Sequence, residues 1–138
     1  VPIDKIQIAL LTSVASISPA IDTAWENVPY EPQLGVDYQR VFLKMVPYNP
    51  VMGTELTTRY NGILYVRLFM VNDAYKAKGI KAITDRALLL LNKFKIGSIH
   101  TNSNVECLIE ETPSFNTEGV DGDRFVGLFS AKFFTNLV

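Results

Sequence analysis

Across residues 57–71 the sequence alternates with a period of two, and neither of the two faces this defines is plainly polar. Leu64, Val66, Leu68 and Met70 fall on one side; Ile63, Tyr65, Arg67, Phe69 and Val71 fall on the other. A segment of this kind belongs inside a sheet, because it has apolar groups to bury in both directions. Residues 38–46 repeat the pattern, with Val41, Leu43 and Met45 opposed to Arg40, Phe42 and Lys44. Together they predict an antiparallel hairpin over 38–71, joined through the breaker-rich Pro47-Tyr48-Asn49-Pro50-Val51-Met52-Gly53. Asn61-Gly62 predicts a bulge or a bend inside the second strand.

The flanking segments carry the other periodicity. In residues 2–16, Ile3, Ile6, Leu10 and Val14, with Ile17 beyond, recur at three- and four-residue spacing. They predict a helix opened by Pro2 and Asp4 and closed by Ser18-Pro19. A second helix is predicted over 78–94, with Ile80, Ile83, Ala87, Leu88, Leu91 and Phe94 as its apolar face and Gly97 as its stop. Lys81, Asp85, Arg86 and Lys93 are assigned to its solvated surface. Residues 21–28 read as a short extended piece, followed by a proline-punctuated loop. Residues 104–112 and 124–135 read as strands joined by a polar loop over 113–123. The order predicts one α+β domain over residues 1–138: a mostly antiparallel sheet of about five strands with two amphipathic helices packed on one face.

Composition narrows the function classes. The longest apolar run, residues 87–91, is far short of the roughly 20 residues a membrane span needs, so no membrane role is expected. The start, Val1-Pro2-Ile3-Asp4-Lys5, lacks the basic and apolar regions of a secretory signal. One cysteine and one histidine supply neither a disulfide nor a multi-histidine metal site, and no phosphate loop, dinucleotide fingerprint or serine elbow is present. The chain is therefore not expected to be an enzyme or to hold a metal or cofactor. His100 reads as a surface-loop histidine, Cys107 as a buried inert thiol that nothing brings to His100, and Asp121-Gly122-Asp123 as a turn. The net charge of −1 hides a block structure: residues 1–37 sum to −4, residues 38–95 to +7 and residues 96–138 to −4. Such blocks either orient the molecule against copies and partners or average out on folding. The cluster Lys76, Lys78, Lys81, Arg86, Lys93 and Lys95 is either a solvated helix face or a non-specific electrostatic contact, DNA included.

A sheet of five strands is about 24 Å wide, and two helices of about 10 Å each cover only one of its faces. Phe42, Tyr65 and Phe69, interleaved with Arg40, Lys44 and Arg67, then stand on the side the helices leave bare. Aromatic residues with arginine are the composition of an interface, so Phe42, Tyr65, Arg67 and Phe69 are the candidate contact residues. The competing arrangement has long loops folded over them.

Thr23-Ala24-Trp25-Glu26-Asn27-Val28-Pro29-Tyr30-Glu31-Pro32 resembles a motif of tail terminator-like proteins from tailed phages, where an aliphatic-Ala-Trp-Glu/Pro-Asn-Val-Pro-aromatic stretch follows a first helix. Tyr38-Gln39-Arg40-Val41-Phe42 and Arg59-Tyr60-Asn61-Gly62-Ile63-Leu64-Tyr65-Val66 are similar to further segments of that family. A helix, a glycine-bounded loop and a final aromatic strand follow in the family's order, so the resemblance spans almost the whole chain. Residues 46–55 depart from it, being longer and richer in proline. The resemblance implies a structural virion protein of the tail or neck, assembled in the bacterial host cytoplasm as a homo-hexameric ring. Such a ring caps the tail tube protein, ends tube polymerisation and offers a docking surface for the head connector protein, with DNA passing through its lumen. Trp25, Asn27, Pro29 and Tyr30 are then expected to brace the loop that sets subunit geometry, with core packing the other reading of Trp25. Lys76, Lys78 and Lys81 are expected toward the lumen or a neighbouring acidic segment. A head-completion or neck connector ring is the nearest alternative; a small ligand-binding or enzymatic α+β domain is a more distant one.

Overall fold

The structure, a computed structural model, describes residues 3–26, 28–33, 35–45, 61–71, 78–102 and 105–137. Two helices and seven strands follow in the order α1 (Ile3–Ala15), β1 (Asp22–Ala24), β2 (Tyr38–Met45), β3 (Asn61–Val71), α2 (Lys78–Lys93), β4 (Ile99–Asn102), β5 (Val105–Ile109), β6 (Ser114–Asp121) and β7 (Arg124–Leu137). The fold is α+β, as the periodicities predict. Its sheet runs β1-β2-β3-β7-β5-β4, with β6 beside β7. It has seven strands among the described residues rather than about five, and β1 lies parallel to β2 while every other pair is antiparallel.

β7 organises this sheet. One of its edges pairs with the whole of β3, from Asn61↔Phe134 to Val71↔Arg124. Its other edge is shared: β6 takes Arg124 to Ser130, and β5 takes Phe133 to Leu137. The hairpin of β2 and β3 holds the register the alternation requires, Val41 opposite Val66 and Phe42 opposite Tyr65. Asn61-Gly62 is not bulged: Gly62 pairs regularly with Met45 and Phe133. The irregularity lies instead in β6, between Thr117 and Gly119. Residues 57–60, at the start of the predicted strand, and the loop 46–55 are outside the described residues.

Partners directly opposite in an antiparallel pair share a face, so the register sorts the side chains without further assumption. The inner face carries Val41, Val66 and Phe129 in one row and Leu43, Leu64 and Ala131 in the next. Both helices lie on it, α2 against β3 and β7, α1 against β4 and β5, and they touch each other. Ile6, Leu10 and Val14 of α1 are sealed there, as their spacing predicts.

The face of α2 is rotated from its predicted position. Ile80 and Leu88 are 51% and 55% exposed, while Ile83, Ala87, Leu90 and Phe94 are buried. Residues 88–91 are four leucines in a row and offer an apolar group in every direction, so the sequence alone does not fix which one turns inward. The true stripe passes through Arg86, which is 4% exposed and not on the solvated surface. Its guanidinium donates to the carbonyl of Pro19 and, at 3.5 Å, to Gln39 Oε1. Gln39 Nε2 in turn donates to Thr23 Oγ1 at 3.0 Å, so one buried polar chain ties α2, β2, β1 and the incoming loop.

Two predicted loops are strands. The polar stretch 113–123 forms β6 and its hairpin, with Asp121 opposite Arg124 and Gly122 at φ 63° in the turn. Residues 98–102 contain β4, which pairs with β5. Gly97, at φ 82°, does not cap α2, which ends at Lys93; it lies in the turn from Lys95 to Ser98 that leads into β4. The extended piece over 21–28 contracts to the three residues of β1.

Gly62 and Gly127 mark the two closest approaches among the described glycines, and at Gly62 the backbone itself is involved. A Cβ placed there would lie 2.7 Å from Phe133 Cζ and 2.9 Å from the Lys44 carbonyl oxygen. Gly62→Ala is therefore expected to cost about 1–3 kcal/mol, through displacement of backbone as well as ring. Urea denaturation followed by circular dichroism measures it; an unchanged midpoint would show that the strands separate freely at this point.

Candidate functional site

The outer face of the sheet is built in rows across β2, β3 and β7. Tyr38, Phe69 and Val126 form one row, Arg40, Arg67 and Leu128 the next, Phe42, Tyr65 and Ser130 a third. Each aromatic pair stacks across the strands, Tyr38 on Phe69 at 4.5 Å between centroids and Phe42 on Tyr65 at 5.0 Å. Between them two guanidinium groups are brought opposite one another, a repulsive cross-strand pairing. The face resolves it by sending the two apart. Arg67 Nε donates to Glu118 Oε1 at 3.0 Å, while the Arg40 guanidinium sits 5.8 Å from the Tyr38 ring.

The predicted contact residues Phe42, Tyr65, Arg67 and Phe69 thus share one face, and all four are half-buried. They are not sealed within the chain. The loop before β2 covers the Tyr38 corner, where Tyr30 packs at 5.3 Å and Arg124 lies 4.8 Å from the ring centre, and it walls a cleft beside Arg40 and Phe42. Tyr30 donates to Asp22 at 3.4 Å, and burial together with that carboxylate holds its phenol above the ordinary pKa. Among the other motif residues, Trp25 is half-buried and packs on the core, and Pro29 is exposed. Asn27 lies outside the described residues.

Glu26, in the motif but not among the candidates, has the clearest structural role. Its carboxylate accepts from Gln7 Nε2 at 2.9 Å and from the Leu43 amide at 3.3 Å, joining α1 to β2. Beside it a cleft of about 390 Å³ opens between Trp25, Val28, Arg40 and Phe42. A second, of about 300 Å³, lies between Arg67, Phe69, Glu118 and Val126. A carboxylate in an alternating motif usually signals solvent, and nothing in the sequence separates that from an amide acceptor.

The basic cluster divides. Lys81 is exposed and donates to Asp85 at 2.8 Å, which raises its pKa through that hydrogen bond and the charge behind it. Arg86 is inside the molecule. Lys76 and the Lys78 side chain lie outside the described residues.

His100 overturns its reading as a surface-loop residue. It lies on β4 facing inward, 5% exposed, directly opposite Cys107. Ser13 Oγ of α1 lies 2.7 Å from Nδ1, Ser98 Oγ lies 3.2 Å from Nε2, and the ring packs 4.6 Å from Phe94. The expectation that nothing brings Cys107 and His100 together fails, but they meet in the wrong protonation states for nucleophilic chemistry. Burial, with the nearby Lys93 charge, lowers His100 to about 4. Burial raises the Cys107 thiol to about 12. A neutral imidazole beside a protonated thiol is core packing. No group of His, Cys, Asp and Glu among the described residues is arranged to hold a metal ion. No helix among them is long and apolar enough to cross a membrane.

Neither the family models nor the curated proteins compared with the chain give a match. A solved structure whose name states no function superposes with a TM-score of 0.77 at 15% identity, over 98% of this chain and 96% of that chain. That likeness is one of fold.

The His100 contacts make stability pH-dependent. Its pKa is near 6.5 when exposed and about 4 when folded, so the unfolded chain binds the extra proton first. Stability from this site is complete above pH 6.5 and falls as pH drops toward 4, by about 3 kcal/mol at the limit. Denaturant midpoints measured across that range should show the slope, and His100→Gln should flatten it. An unaltered slope in the variant would assign the effect to other groups.

Proposed function

We propose that this chain is a structural protein of a tailed phage, acting at the junction of tail and head. As a tail terminator it assembles into a homo-hexameric ring on the finished tail tube, stops polymerisation and presents a surface to the head connector. The isolated chain performs no catalysis in this reading and takes no cofactor. The assembled ring belongs to the virion and is built in the host cytoplasm.

The observation that carries the reading is the outer face. Two stacked aromatic pairs flank an arginine row on the side of the sheet opposite both helices, and of the four rings Phe42, Tyr65 and Phe69 stay half-exposed while Tyr38 is buried. Aromatic and arginine side chains lead the composition of binding hot spots, and flat apolar sheet faces are rarely left to water without a partner. Its support in sequence is the 23–32 motif, whose Trp25, Glu26 and Tyr30 fasten the loop against α1, β1 and β2. Asn27, Pro29, Lys76, Lys78 and Lys81 complete the proposed set: the first two with the loop, the lysines toward the lumen or an acidic neighbour.

The test is a capping assay. Tail tube protein polymerised with the chain should give tubes of limited length bearing a ring at one end by negative-stain imaging. A head-completion ring, the neighbouring alternative, leaves tube growth unchanged. Tyr65→Ser with Phe69→Ser should keep the far-ultraviolet dichroism of the folded chain and weaken capping by about thirtyfold or more, the loss of one hot spot of about 2 kcal/mol. Capping at wild-type concentration by this variant would remove the outer face from the function.

A further inference from the structure

The sheet ends differently at its two margins, and the two ends fit each other. At one margin β1 covers β2 only from Tyr38 to Arg40, because it is three residues long. From Val41 to Met45 the outer edge of β2 has no strand partner among the described residues. The Leu43 amide points to that edge and is held only by the Glu26 side chain. The 390 Å³ cleft between Trp25, Val28, Arg40 and Phe42 opens beside it.

At the other margin the sheet ends in β4. Its sequence, Ile99-His100-Thr101-Asn102, contains no lysine or proline of the kind that protects an edge. Its outer-face side chain Ile99 is 53% exposed. Four residues extend about 13 Å, and the five positions from Val41 to Met45 offer about 16 Å.

The charges are also complementary. Arg40 and Lys44, exposed on β2, have no acidic partner among the described residues. The β4–β5 margin carries Glu106 opposite Thr101, on the same face as Ile99, with Glu110 exposed just beyond β5.

We propose that a second copy of this chain adds its β4 to the open edge of β2, seating Ile99 in the cleft beside Phe42 and setting Glu106 toward Arg40 and Lys44. This rests on the ring reading above, whose subunit contact it names. The contact joins two different surfaces, so it leaves one of each free on every pair and propagates until a ring closes. Backbone pairing supplies its direction, and the Glu26 carboxylate gives up the Leu43 amide to the incoming strand.

Disulfide trapping tests the contact in the full chain. Ile99→Cys is combined in one chain with Lys44→Cys, and separately with Phe42→Cys; Cys107 is buried and does not compete. Under mild oxidation at high protein concentration, one double variant should give a ladder of linked oligomers on a non-reducing gel, and each single variant should remain monomeric. Ile99→Lys, at an exposed position, should keep the fold and lower association by about tenfold or more in sedimentation. Absence of a ladder from both double variants, linkage of the Ile99→Cys single variant to itself, or undiminished association of Ile99→Lys would each overturn the proposal. A ladder without tube capping would leave the contact standing and remove the tail reading. Capping without a ladder would do the reverse.

Discussion

Among the described residues, two helices lie on one side of a seven-stranded sheet and none on the other. That shortage of cover governs what the rest of the sequence has to do. The inner face is free to be mostly apolar: Leu64, Val66, Leu68 and Phe129 are sealed beneath Ile6, Leu10, Ile83 and Leu90, with Gln39, His100 and Thr135 as its buried polar groups. The outer face has to be apolar enough for β3 to sit centrally, yet soluble. It meets both demands by stacking its rings in pairs, which hides one face of each, and by setting arginines between them. The arginine side chains keep the face soluble, Arg40 beside the Tyr38 ring and Arg67 paired with Glu118.

What the sequence discloses follows from this division. Period-two alternation in β2 and β3 is strong because each strand has two distinct environments, so their pairing and the identity of both faces are readable before any coordinates. β4 and β6 escape notice for a physical reason. Ser114–Asp121 has seven mostly polar or small residues around one half-buried Phe115, since β6 packs on the core through that ring and pairs through its backbone with β7 alone among the described residues. The His100 strand hides a polar side chain under α1, where Ser13 and Ser98 satisfy both ring nitrogens. A lone histidine among Ser, Thr and Asn looks like a loop unless the helix that supplies its hydroxyl partner, 87 residues away, is already in place.

Arg86 shows the same limit from the opposite side. Three residues from Ile83 and four from Leu90, it lies on the buried stripe by spacing, yet its charge argues for solvent. The structure buries it without a carboxylate and leaves Nε unbonded. Burial lowers its pKa, and among the described residues its acceptors are the carbonyl of Pro19 and the amide oxygen of Gln39. Such a group costs desolvation energy that its hydrogen bonds only partly return. What it does accomplish is geometric: it fastens the loop before β1, at Pro19, to α2 and β2. A longer β1 would close the remaining edge of β2.

The charge blocks acquire meaning on the same scaffold. The central basic block supplies β2, β3 and α2; the terminal acidic blocks supply the loop before β2 and the strands from β5 onward. Folding neutralises part of this, through Arg67 with Glu118 and Lys132 with Glu111. Among the described residues it gives Arg40 and Lys44 no acidic partner, β2 lying two strands from β7 and the acids that flank it. One molecule therefore keeps excess positive charge beside the open edge of β2 and excess negative charge around β5. No rearrangement within a single chain brings those margins together, since β3 and β7 stand between them and are fixed by eleven paired positions.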